Sequence, residues 1–164
     1  RSTVLETLGY AGLPLAQRTP ERSKDRALTN SSAYPLTLIN GARSRAYMHT
    51  MWREVPAVRA KRPHPRVQVH PETAAALGIN DGQWVWIETP RGAIRQRCEL
   101  FEGIAPLVIH ADGQWWYPEA PAEEPWLYGV WQSNVNVLLD DDPALCGAPL
   151  GGWPQRHAFC RLLP

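Results

Sequence analysis

Cysteine is scarce in this sequence, and its three cysteines, Cys98, Cys146 and Cys160, form no C-x-x-C pair. An odd, widely spaced set gives neither a disulfide framework nor a zinc-cluster spacing. The five histidines are scattered, with none at the i, i+4 spacing of a helical zinc site. Asp140-Asp141-Asp142 lacks the spaced alternation of an EF-hand loop and runs into Pro143, so it reads as a turn. No activated nucleophile and no metal-ligand set can be assembled from these residues. No apolar stretch approaches the length of a membrane span. A net charge of +1 gives no general pull toward nucleic acid or a membrane surface, so any anion must be met by a local basic cluster. The chain opens "RSTVLETLGY", without an initiator Met or the apolar core of a signal peptide, and this looks like a cut inside a longer polypeptide.

What is abundant is proline, with 16 residues, and tryptophan, with 8, in a chain of 164. Proline interrupts helices and central strands, so this composition predicts long ordered loops between short strands. The length suits one domain with an added arm. Residues 1–33 read as that arm or inter-domain connector: "VLETLGYAGLPL" can form a short helical turn, and the rest is polar and turn-rich. Residues 34–164 read as the compact domain. "YPLTLING" gives a first strand ending at Asn40-Gly41, and the basic, aromatic, proline-broken segment after it reads as a functional loop with a helical turn.

From residue 66 the pattern tightens. Residues 66–70 alternate like a strand. Pro71 suits a first helical position, Glu72 favours the positive helix end, and Gly78 a C-terminal cap. Asn80-Asp81-Gly82 is a turn. Residues 83–88 place Val85 and Ile87 on one face and Trp84, Trp86 and Glu88 on the other. Thr89-Pro90-Arg91-Gly92 fits a type I turn. Beyond it Ile94, Cys98 and Leu100 alternate against Arg95, Arg97 and Glu99, completing a hairpin. Strands follow at 107–110 and 157–162, with 111–156 irregular. Six short strands, one short helix and two long loops predict a closed barrel, with binding in the loops.

Four loop segments could carry binding chemistry, each against a plainer reading. Gly41-Ala42-Arg43-Ser44-Arg45 offers close backbone approach, guanidiniums and a hydroxyl to a phosphate, or is an exposed basic turn. In Asp112-Gly113-Gln114-Trp115-Trp116 the paired indoles stack on a flat heterocycle, or anchor the loop to the core. Asn134 in Ser133-Asn134-Val135-Asn136 reads the amide edge of a guanine or pterin, or caps a turn. Gln155-Arg156-His157 supplies a second cation, or is a solvated strand start.

These segments, in this order, resemble the C-terminal domain of the molybdopterin oxidoreductase (dimethyl sulfoxide reductase) family over about residues 34–164. The matching pieces are "YPLTLINGARSRAYMHT", "VQVHPETAAALGINDGQWVWIETPRGAI", "WWYPE", "SNVNVLL" and "RHAFC". "WWYPE" and "SNVN" look closest to the branch of formate dehydrogenases, thiosulfate reductase-like enzymes and acetylene hydratase. Two positions depart from that branch: Gly113-Gln114 replaces His-Gly, and Leu139 stands where a Thr is usual. The resemblance implies a mainly β, six-stranded double-psi barrel with short helices and long loops. It also implies a bis(molybdopterin guanine dinucleotide) cofactor, with molybdenum or tungsten, in the full enzyme. Gly41, Ala42, Arg43, Ser44, His49, Trp115, Trp116, Asn134 and Arg156 match positions near the pterins or phosphates, and no residue matches a catalytic group or metal ligand. The expected partners are the other domains of the same polypeptide and iron–sulfur electron-transfer subunits, with no nucleic acid and no membrane contact. The expected compartment is the cytoplasm, and the isolated fragment is expected to be inactive and free of cofactor. The competing expectation is an independent barrel module that binds a nucleotide or a protein partner. A self-contained enzyme on such a barrel needs a Gly-Ser processing site or an Asp-Thr/Ser-Gly motif, and neither occurs.

Overall fold

A computed structural model of the chain describes residues 3–7, 32–41, 44–140 and 157–164. A one-turn helix, α1 (Thr3–Thr7), falls where the arm was expected to be helical. The rest is built on six strands: β1 (Leu36–Asn40), β2 (Arg66–Val69), β3 (Trp84–Thr89), β4 (Gly92–Leu100), β5 (Val108–Ala111) and β6 (His157–Leu163). They close into a barrel in the order β1-β5-β2-β4-β3-β6, which is the mainly β barrel expected. Strands β1 and β5, and β2 and β4, pair in parallel, and every other pairing is antiparallel.

The pairing decides which connections share an end of the barrel. The C-terminal ends of β1, β3 and β5 lie with the N-terminal ends of β2, β4 and β6. Three links therefore leave this upper end: residues 41–65, the two-residue link Pro90-Arg91, and the long segment from Asp112 to β6. The lower end carries the 70–83 and 101–107 links.

The lower end shows why the local sequence folds as it does. In α3 (Pro71–Ala76) the Nδ1 of His70 accepts the Glu72 N–H at 3.2 Å, so His70 caps the helix instead of ending the strand. At the other end Gly78 N–H donates to Ala75 O at 3.1 Å and Ile79 N–H to Ala74 O at 2.9 Å, with Gly78 at φ +68°. This is the Schellman closure, which favours glycine, and it swings Ile79 into the barrel mouth as a lower plug.

Inside, Leu36, Leu38, Val67, Val69, Val85, Ile87, Ile94, Cys98, Ile109, Ala111, Cys160 and Leu162 form one apolar core. Val135 and Leu138 plug it from the upper end. Burial pushes the thiol of Cys98 up to about 11 and that of Cys160 to about 12, so both behave as small apolar groups. The expected hairpin is present, with Thr89 facing Gly92 across Pro90-Arg91.

Three details differ from the sequence expectation. Leu100 is not a core residue: it is 38% exposed, because β4 ends there and leaves the barrel. Its inward partner two pairs earlier is Gln96, fully buried. Strand β5 begins at Val108, because Leu107 sits at φ +65° and projects into solvent. Residues 112–140 are not wholly irregular: α4 (Val130–Ser133) lies between 3-10 turns at Leu127–Gly129 and Val135–Leu138. In the first long loop α2 (Pro56–Arg59) is the helical turn that the sequence leads one to expect there.

Candidate functional site

The strand directions bring the described candidate residues to one end of the barrel. Gly41, Ser44 and His49 lie on the first upper loop, and Trp115, Trp116 and Asn134 on the second. Ala42, Arg43 and Arg156 lie outside the described residues, in the same two connections. The opening mouth of the barrel at this end is thus walled by two loops, while the 70–83 unit sits at the far end as scaffold.

Charge divides the two loops: residues 112–156 hold seven carboxylates against one cation, Arg156, while the first loop is basic. Residues 41–66 hold seven Lys or Arg against one carboxylate, Glu54, a net +6 in a chain whose total is +1. Part of that charge is internally matched: Arg59 pairs with Glu119 at 3.0 Å, Arg62 with Asp112 at 3.3 Å and Arg66 with Glu99 at 2.6 Å. Backbone strain gathers here too. Among the described residues six non-glycine residues have positive φ, and five of them (His49, Trp52, Gln114, Leu127 and Tyr128) are on the two upper loops. Such conformations persist only where surrounding contacts enforce them, and they cluster at functional sites.

Gln96 supplies one of those contacts. Its Nε2 donates to the carbonyls of Asp112 at 2.8 Å and Ser133 at 3.1 Å, and its Oε1 accepts the Asp112 N–H at 3.1 Å. One lumen side chain therefore fixes the roots of both the Trp115 and the Asn134 segments. Ser133 Oγ donates to Arg95 O at 2.7 Å and shares a 2.6 Å hydrogen bond with the Tyr117 hydroxyl. Asp112 also accepts the Arg66 N–H at 3.0 Å. Burial raises its carboxyl above the usual range, against the lowering pull of Arg66.

The two tryptophans divide. Trp115 is 1% exposed, and its ring is covered by the Arg53 guanidinium at 4.0 Å and met edge-on by Tyr47 at 5.7 Å. The stacking expected of Trp115 is corrected: the indole is a core anchor, because both it and Arg53 leave water by packing together. Trp116 is half-buried, donates from Nε1 to Thr50 O at 2.7 Å, and meets Tyr128 edge-on. With Glu54, Pro118 and Tyr128 it lines an open hollow of about 380 Å³ where the loops meet.

Asn134 caps the 3-10 turn, its Oδ1 accepting the Asn136 N–H at 3.1 Å. The plainer reading thus accounts for its carbonyl oxygen. Ser44 Oγ accepts the Ala46 N–H at 3.1 Å, His49 is exposed, and Gly41 at φ +97° leaves the backbone open to close approach. Sequence reasoning missed Gln96 and Arg53. Gln96 had a signal, a polar residue at an inward position between Ile94 and Cys98. Arg53, in a loop without periodicity, had none. Arg53 is 3% exposed, and among the described residues its Nε and Nη1 are buried without a partner, as is the Trp115 Nε1 donor. A net cationic loop, an open glycine and unsatisfied donors fit an anionic, acceptor-rich group such as a dinucleotide phosphate.

Comparison with known proteins gives the family and the fold. Residues 36–150 match the family model described as "Molydopterin dinucleotide binding domain". The chain is 40% identical over 129 residues to the dopamine dehydroxylase of Eggerthella lenta, covering 78% of this chain and 12% of that protein. It is 28% identical over 143 residues to the acetylene hydratase of Syntrophotalea acetylenica, covering 86% of this chain and 19% of that one. A solved structure of acetylene hydratase from Pelobacter acetylenicus superposes with a TM-score of 0.77 over 99% of this chain and 22% of that chain, at 24% identity, a likeness of fold. The chain thus spans about an eighth to a fifth of the length of these relatives.

Proposed function

The chain belongs to the molydopterin dinucleotide binding domain family, and from that premise we propose that it forms one wall of the cofactor site in a longer molybdenum or tungsten oxidoreductase. The observation that carries this reading is the shared upper end: two long loops, the first of them with a net charge of +6, and the strained backbone meet there. Gly41, Ser44 and the basic stretch that follows would hold phosphate. Trp116 would border the pterin side, and the Asn134 amide would meet the edge of a heterocycle. Trp115 acts through its packing and not by stacking.

The cofactor, when bound, supplies the redox chemistry. This chain's own residues bind it, orient it and exclude water on one side. Alone, the 164-residue chain leaves a large anionic ligand mostly exposed, so it folds without cofactor and turns over no electron donor. Residues 1–33 serve as the connector to preceding domains. Those domains and an iron–sulfur electron-transfer subunit are its partners, and the cytoplasm its compartment.

The test is cofactor content in the complete parent enzyme. Asn134→Ala should lower bound pterin and metal per polypeptide severalfold, with strand structure intact. Glu72→Gln, at the far end of the barrel, should leave content unchanged. Equal content in both variants and in the unsubstituted enzyme would remove the proposed site.

A further inference from the structure

Arg53 is an expensive residue to bury. Its guanidinium lies in the corner between two nearly perpendicular rings, Tyr47 at 4.5 Å and Trp115 at 4.0 Å, and among the described residues it has no carboxylate within ion-pair distance. The nearby Asp112 carboxylate spends its hydrogen bonds on Arg62 and the Arg66 N–H. Desolvation accordingly lowers the guanidinium pKa. An incompletely paired buried charge is often less stable than an apolar side chain of the same volume, so packing alone does not account for it.

What its one satisfied nitrogen holds is informative. Arg53 Nη2 donates to Gln114 O at 3.0 Å and to His49 O at 3.4 Å. These carbonyls belong to one residue on each upper loop, and both residues have left-handed backbone, Gln114 at φ +57° and His49 at φ +55°. A single guanidinium thus spans the two loops at a strained residue of each. Tyr47, which lines that corner, donates its hydroxyl to Arg62 O at 2.6 Å and extends the same tie to the end of the first loop.

We infer that Arg53 is a positioning residue, a rivet that holds both cofactor-facing loops in their strained conformations at a cost to barrel stability. The inference rests on the function proposed above only in what the loops are held for. It does not require Arg53 to touch the ligand. Lysine cannot replace it, because an ammonium offers no planar fork of donors to reach the two carbonyls while covering a ring.

The test has a cofactor-free arm and a cofactor arm. In the 164-residue chain, Arg53→Met should leave the melting temperature unchanged or raise it, while amide exchange at residues 48–52 and 113–116 accelerates at least tenfold and that of β2 to β4 does not. Arg53→Lys should accelerate exchange in the same two segments, with a lower melting temperature than Arg53→Met because the buried charge remains. Adding Gln114→Gly, which adopts positive φ without strain, should recover part of the protection. In the complete parent enzyme, Arg53→Met should lower pterin content about tenfold. A fall in melting temperature with uniform loss of protection would make Arg53 an ordinary structural residue, and unchanged loop exchange would remove the rivet. A parent enzyme that carries no pterin even unsubstituted would defeat the proposed function, with the exchange arm still deciding Arg53.

Discussion

Replacing Gln96 with leucine should destabilise the barrel, although it changes side-chain volume little and adds apolar surface to an apolar lumen. Gln96 is fully buried, and it makes three hydrogen bonds of 2.8, 3.1 and 3.1 Å to the backbone of Asp112 and Ser133. The Asp112 N–H keeps a second acceptor, Arg66 O at 2.9 Å, so its loss is small. The two carbonyls lose their donor, at about 1–3 kcal/mol each for a buried group left unsatisfied. The extra apolar burial of leucine returns roughly 1 kcal/mol. The net loss is about 1–5 kcal/mol, centred near 3, and at roughly 2–4 °C per kcal/mol for a domain of this size it lowers the melting temperature by about 10 °C. Urea unfolding of the 164-residue chain measures it directly. A loss under about 0.5 kcal/mol would show that the two loop roots are held by something other than Gln96.

Other substitutions test separate parts of the account. A Cβ on Gly92 would meet Val137 O at 3.1 Å and Val137 Cγ1 at 3.0 Å, so Gly92→Ala should push the hairpin off the upper plug and cost about 1–3 kcal/mol in thermal unfolding. The His64 and His110 imidazoles have pKa values lowered by burial. A depressed histidine leaves the unfolded chain binding more protons, so stability should be full above the ordinary value of 6.5 and fall as pH drops through it. His110→Phe should flatten that slope in a series of denaturation curves between pH 7 and 5. The thiols of Cys98 and Cys160, raised to about 11 and 12, should resist a thiol-reactive dye at pH 8 in the native state and react on unfolding.

Legibility in the sequence followed the range of the interaction. The helix start at Pro71-Glu72, the Schellman glycine Gly78 and the Trp84 to Leu100 hairpin are local. Their residues carry period and turn chemistry within ten positions. Barrel closure was legible only as a count of strands and loops, since the pairing of β1 with both β5 and β6 joins residues far apart in sequence. At the site, the two loops could be found because the first is basic, aromatic and broken by proline and the second is rich in Gly, Pro, Trp and Asp. The division of labour between Trp115 and Trp116 could not be read, because adjacent loop residues have no periodic face. It was decided by Arg53, some 60 positions away, whose burial no local pattern signals. Leu100 misled because alternation continues in the sequence beyond the point where the strand leaves the barrel.

The central claim is that the end of the barrel bearing residues 41–65 and 112–140 is the ligand-holding end. Amide chemical-shift mapping of the 164-residue chain titrated with guanosine diphosphate, the anionic nucleotide half of the proposed cofactor, tests it most directly. The account predicts weak, salt-sensitive binding with shifts confined to those two loops and to Thr89–Gly92. Shifts centred on residues 70–82 and 101–107, at the opposite end, or no shift at millimolar nucleotide, would contradict it.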